Sequence, residues 1–193
     1  MKRILVGMLT LGIIALMFMA CAAPSRISKA AVDQFTLGET TMDEIKGVYG
    51  TQDLTHELYT PETGLTKISY AYRDPSDNAC QPDVYAIQQV DFFFKKEVLY
   101  GVQYMSSTAL DCTKFDDSKV SEIQVGKTTK DEIKDWFGSP DGKFFTDGPE
   151  PVWRYLYVQK KTHKREYDHQ VLDVYFDEKG VVDDFKLDFL MGF

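Results

Sequence analysis

The sequence predicts an α+β protein of two tandem units, each with two short helices packed on a three- to four-stranded antiparallel sheet. Three observations predict it. Residues 37–50 return at 125–138, an offset of 88 with no gap, and Gly, Thr-Thr, Asp-Glu-Ile-Lys and a closing Gly all fall in register. Self-similarity at that density marks one structural unit used twice. Each copy also opens a helix with a Thr three residues before a Glu, the spacing of a capping box. Each is then followed by runs that alternate apolar and polar residues with period 2, split by polar turns, as in an antiparallel meander with one buried face. Two short helices cannot bury a core by themselves, so the strands must cover them.

In chain order, Met1-Lys2-Arg3 and the uncharged run from Ile4 to Ala20 have the pattern of a secretory signal. Cys21, directly after Ala20, resembles a bacterial lipoprotein cleavage site, at which the cysteine is lipidated. That resemblance implies membrane anchoring through an N-terminal lipid (a palmitate-type modification). Ala22, in place of the Asp that favours inner-membrane retention, implies the outer membrane, facing the periplasm. The expected boundaries are 1–20 for the signal, 21–113 for the first unit and 114–193 for the second.

Residues 27–35 have apolar residues at helical spacing, and Gly38 is placed as a stop. Thr41 and Glu44 cap the second helix, with Met42, Ile45, Val48 and Tyr49 on its apolar face. Strands are expected over 66–73, 88–95 and 98–105. Ile68, Tyr70, Tyr72, Val90, Phe92, Phe94 and the series Val98, Tyr100, Val102, Tyr104 face the helices. The second unit repeats this with a helix over 117–123, a capped helix from Thr129, and strands over 152–159, 171–177 and 181–189. Trp153, Tyr155, Tyr157, Leu172, Val174, Phe176, Phe185, Leu187 and Phe189 then face inward. Cys80 and Cys112, the pair left once Cys21 is lipidated, are expected to form a disulfide outside the cytoplasm.

The chain carries a formal charge of −8, and loss of Lys2 and Arg3 makes it more acidic still. Nucleic acid is therefore not an expected partner. Catalytic signals are sparse. His56, His163 and His169 have no metal-site spacing and read as exposed. Nucleophile elbows and phosphate-cradling loops do not occur, so neither an enzyme nor a cofactor is expected. Asp91 and Asp173 hold the same strand position in the two copies and read as repeated sheet-face residues rather than as a catalytic pair. The face turned away from the helices collects Arg73, Phe93, Met105, Arg154, Leu156 and Tyr175. Aromatic and arginine side chains on a sheet face point to protein binding.

Gly126-Lys127-Thr128, the short helix, Gly138-Ser139-Pro140 and three antiparallel strands, on a lipoprotein-like chain, resemble the SmpA/OmlA (BamE-like) family. Gly38-Glu39-Thr40 through Gly50 resembles it a second time. The resemblance implies a non-enzymatic outer-membrane lipoprotein that binds or scaffolds other envelope proteins. The barrel-assembly machinery is the implied partner, in outer-membrane protein assembly or envelope maintenance. Two such units in tandem also resemble the architecture of the β-lactamase inhibitor protein. That implies an alternative role, inhibition of a periplasmic or secreted hydrolase.

Overall fold

A computed structural model describes residues 27–51, 54–148, 150–160 and 167–192, with only the backbone of 54–57, 158–160, 167–168 and 190–192. The expected signal segment and Cys21 lie outside the described residues. The chain forms α1 (Lys29–Val32), α2 (Met42–Tyr49), β1 (Leu54–Thr60), β2 (Leu65–Arg73), β3 (Ile87–Lys95) and β4 (Val98–Ser106). A 3₁₀ helix over Asp117–Glu122 follows, then α3 (Lys130–Phe137), β5 (Gly142–Phe144), β6 (Val152–Lys160), β7 (Tyr167–Phe176) and β8 (Val182–Gly192).

The strands make one eight-stranded antiparallel sheet in the order β1 to β8, each paired with its neighbour in sequence. This overturns the expectation of two units that each carry a sheet of their own. The joint is β5: Gly101, Val102 and Gln103 of β4 pair with Phe144, Lys143 and Gly142, which pair on their other side with Val152, Trp153 and Arg154 of β6. Backbone groups at the edge of each expected sheet are thus satisfied across the joint, and no edge is left between the halves. The helical part is also smaller than expected. α1 is a single turn, and residues 117–122 wind as a 3₁₀ helix, so each half contributes one full helix of eight residues.

The repeated stretch clamps that helix to a hairpin. Gly38 N–H donates to Leu99 C=O, Leu99 N–H to Thr40 C=O, and Met42 N–H to Glu97 C=O. In the second half, Gly126 N–H donates to Val182 C=O, Val182 N–H to Thr128 C=O, and Lys130 N–H to Gly180 C=O. Both capping boxes close, Thr41 with Glu44 and Thr129 with Glu132, so two helix donors in each are satisfied by side chain and backbone in exchange. At the other end, Gly50 and Gly138 adopt φ of 79° and 78°, a region that only glycine enters at no steric cost. Their carbonyls accept the hydroxyls of Tyr70 (2.9 Å) and Tyr155 (3.0 Å). Stop, cap, stripe and second stop serve docking in each copy.

Two apolar clusters lie under the helices. One joins Ile45 and Tyr49 to Ile68, Tyr70, Val90, Phe92, Phe94, Leu99 and Tyr104. The other joins Ile133 to Tyr155, Leu172, Val174, Phe176 and Val182. The inward series expected along β4 breaks at a bulge opposite Phe93 and Phe94. Leu99 rather than Val98 or Tyr100 therefore enters the core, because an extra residue reverses the alternation. Cys80 and Cys112 are bridged, which ties the β2–β3 loop to the chain leaving β4.

Candidate functional site: the open face of the sheet

Because the sheet is continuous, its helix-free face runs unbroken across the joint. One row of cross-strand partners crosses it: Ser69, Asp91, Gln103, Gly142, Arg154, Asp173 and Lys186. The next row begins with Lys67, Phe93, Gly101, Phe144 and Val152.

Two glycines create the centre of this face. A Cβ on Gly101 would lie 2.3 Å from Phe144 Cδ1, and one on Gly142 would lie 2.9 Å from the Val102 carbonyl and 3.1 Å from Phe144 Cε2. The Phe144 ring lies in the space these residues leave. It meets Phe93 edge-on, ring centroids 5.3 Å apart and planes at 60°, and the Arg154 guanidinium carbon stands 4.9 Å from its centroid. Both geometries are attractive, through the ring quadrupole.

Arg154 is held in place. Its Nε and one terminal nitrogen donate to the two Asp173 carboxylate oxygens at 2.7 Å each, and the other terminal nitrogen donates to Gln103 Oε1 at 3.1 Å. The bonds to Asp173 raise its pKa further above its ordinary value. These bonds use three of the five N–H groups of a guanidinium. The fork fixes the plane of the group and leaves two donors for a partner. Beside it, Gln103, Arg154, Leu156, His169, Val171, Asp173 and Asp188 line a depression of about 280 Å³. Burial lowers the His169 pKa, the Arg154 charge lowers it further, and Asp188 opposes both. The neutral imidazole is therefore favoured here. His169 is half-buried in this depression, not exposed as its sequence context suggested. His163 and the His56 side chain lie outside what the structure describes.

The predicted surface residues are distributed unevenly. Phe93 and Arg154 meet through Phe144. Tyr175 and Met105 are half-buried on the same face, Met105 opposite Gln89. Leu156 is 1% exposed, so it forms the floor of the depression and is not a contact side chain. Arg73 is exposed at the margin, its guanidinium carbon 4.2 Å from the Tyr85 ring centroid and a terminal nitrogen 3.8 Å from Asp77. Sequence reasoning missed Phe144, Gln103, Gly101 and Gly142. Phe144 and Gly142 lie on a strand of three residues, too short an alternation to be read as one, whereas Gln103 and Gly101 lie on the expected β4 with outward parity and were passed over because neither has an aromatic, basic or large apolar side chain. Asp91 and Asp173 keep equivalent positions with different partners, Gln89 for Asp91 and Arg154 for Asp173. Across the strand from Asp91 stands Ser69, whose buried hydroxyl has no protein partner among the described residues. No grouping of His, Cys, Asp and Glu suited to a metal ion occurs among the described residues.

Comparison with known proteins adds a family. Residues 113–186 match the model of the outer membrane protein assembly factor BamE domain, a stretch that takes in the 3₁₀ helix, α3 and the strands from β5 into β8. No curated protein matches the chain by sequence. Among solved structures, a candidate β-lactamase inhibitor protein from Streptococcus mutans is similar at 12% identity and a TM-score of 0.40. The match covers 77% of this chain and 82% of that one. At that score the likeness decides neither fold nor function. The matched stretch contains the docking motif Gly126-Lys127-Thr128 through Gly138-Ser139-Pro140, so the similarity to the BamE domain falls on the second copy of the repeat.

Proposed function

We propose that the protein is a non-enzymatic envelope lipoprotein. Lipid on Cys21 would anchor it at the outer membrane, facing the periplasm, and the open sheet face would dock another envelope protein in outer-membrane protein assembly. The observation that supports this best is the continuity of the face. β5 joins what would otherwise be two small sheets into one surface, with the Phe93–Phe144–Arg154 cluster at the joint. A rigid aromatic pair beside an oriented arginine with free donors is the composition of an interface centre. The similarity of residues 113–186 to the BamE domain supports the choice of compartment and of the kind of partner.

The test is photo-crosslinking in intact cells. A crosslinking residue at Phe93 or Tyr175 should trap a barrel-assembly component, and one at Asp135 on the exposed side of α3 should not. Arg154→Glu should weaken the face-specific product at least tenfold, and deletion of the protein should lower outer-membrane protein levels. Equal products from both sides, or normal outer-membrane protein levels after deletion, would overturn the proposal. Capture of a hydrolase from the face positions would favour the inhibitor reading instead.

A further inference from the structure

β8 closes the sheet on one side and is hydrogen-bonded only to β7. At 11 residues it is the longest strand among the described residues. Its other flank is a row of backbone N–H and C=O groups without a ladder partner among the described residues. Edge strands in natural proteins are commonly blunted by bulges, proline, short length or inward charge. The bulge here lies at the start of the strand, opposite Tyr175 and Phe176. From Asp184 to Gly192 the register with β7 is unbroken, and the strand contains no proline. The opposite edge differs: β1 has seven residues and an irregular register after Leu54.

The side chains of β8 sort by face. On the helix side stand Phe185 and Leu187, packed against the second core, and then Phe189, 58% exposed in continuation of the same line. On the open side stand Asp184, Lys186 and Asp188, partners of Tyr175, Asp173 and Val171. Lys186 and Asp188 pair at 2.8 Å, with side chains 67% and 41% exposed. An ion pair that open to water contributes little and exchanges readily.

We infer that β8 is a second docking site, which accepts an extended segment of another protein as a ninth strand. The segment would carry apolar residues along Phe185, Leu187 and Phe189, and basic, acidic and basic residues opposite Asp184, Lys186 and Asp188. Main-chain bonds would supply the affinity and the side chains the selection, as in strand addition generally. Charge decides against a second copy of this chain. Antiparallel pairing of two β8 strands about Lys186 would set Asp184 against Asp188 and lysine against lysine; a shift of two residues would match Lys186 with Asp188 but, as in every register, would bring together molecules of net charge −8. Like charges directly opposite are destabilising. The occupant is therefore a strand of complementary, net-basic pattern from a different protein.

The probe is the peptide Val-Lys-Val-Glu-Val-Lys-Val, whose pattern reads the same in either direction, with Val-Glu-Val-Lys-Val-Glu-Val as its mirror in charge. On the intact protein the first peptide should slow amide hydrogen exchange in β8 and leave β1 unchanged. It should also bind at least tenfold more tightly than the second. The triple variant Asp184→Lys, Lys186→Glu, Asp188→Lys, confirmed as folded by circular dichroism, should reverse that preference. Absence of β8 protection, or equal binding of the two peptides to the wild-type protein, overturns the inference whether or not the variant folds. A concentration-dependent dimer with β8 protected in the absence of peptide overturns it in favour of self-pairing.

Discussion

Asp141 sits inside the joint of the sheet and offers a quantitative test of how that joint is held. Its N–H donates to the Arg154 carbonyl, its carbonyl accepts from Tyr104, and its side chain accepts the Leu156 N–H at 3.1 Å. Burial pushes the carboxyl from its ordinary 3.8 up to about 6. The Leu156 hydrogen bond and the Lys29 charge oppose the rise, and Asp33 adds to it. A shift of that size corresponds to about 3 kcal/mol at 1.36 kcal/mol per pKa unit. The sign follows from proton linkage. The folded state binds this proton more tightly than the unfolded chain, so the cost is fully present above pH 6 and is relieved as pH falls from about 6 to about 4. Asp141→Asn retains an oxygen for Leu156 and removes the buried charge, at the loss of the attraction to Lys29. Urea unfolding of both proteins at pH 7.5, 6, 5 and 4 should show the variant more stable by about 1–2 kcal/mol at pH 7.5, a discount of the full shift for the lost Lys29 attraction. The advantage should fade by pH 4. Comparing the two proteins cancels the other carboxylates, among them Asp111. Burial raises the Asp111 pKa, but donors on Tyr104, Ser106, Thr108 and Gln88 together bring it below the usual range. A variant less stable at pH 7.5, or a difference that does not change with pH, would refute the argument.

Other perturbations bear on the remaining contacts. Gly101→Val should displace the Phe144 ring from the open face and cost about 2–3 kcal/mol by overpacking. Adding Phe144→Ala should restore most of that loss in a denaturant titration, and a larger loss in the double variant would count against the packing account. Opening the Cys80–Cys112 bridge with Cys80→Ser and Cys112→Ser should cost about 3–4 kcal/mol for a crosslink spanning 32 residues. The wild-type Tm should then fall on addition of reductant while that of the variant stays fixed. Thr41→Ala and Thr129→Ala each remove one capping hydroxyl and should each cost about 1 kcal/mol. Markedly unequal losses would show that the two boxes do not carry matching roles.

The parts of the fold that were legible in the sequence are those whose signal is local. Thr41-x-x-Glu44 and Thr129-x-x-Glu132 read as caps because the two partners lie within one helical turn. β2, β3, β6 and β7 read as strands because alternation over nine or ten residues carries its own evidence. The bridging of Cys80 and Cys112 followed from their being an even pair. What depended on distant partners was hidden. β5 is a strand only because β4 and β6 stand on either side of it, so the division into two sheets followed naturally from the sequence and was wrong. The outward parity of Phe93 and Arg154 was legible, but Phe144, which joins them, was not. Leu156 has the same parity and is nevertheless buried, because parity states a face and not an exposure.

A sheet in which every strand pairs only with the one before it can be completed in the order in which the chain appears. Pairing among β1 to β4 requires no later strand, and the bridge from Cys80 to Cys112 involves no residue beyond 112. Each later strand then meets an edge already in place, so each step closes only the connection between consecutive strands, the 107–141 segment before β5 being much longer than a turn. Loop closure of that kind favours rapid folding. It also means that the growing edge is exposed at each stage and is covered by the next strand to arrive. β8 is the last in this series.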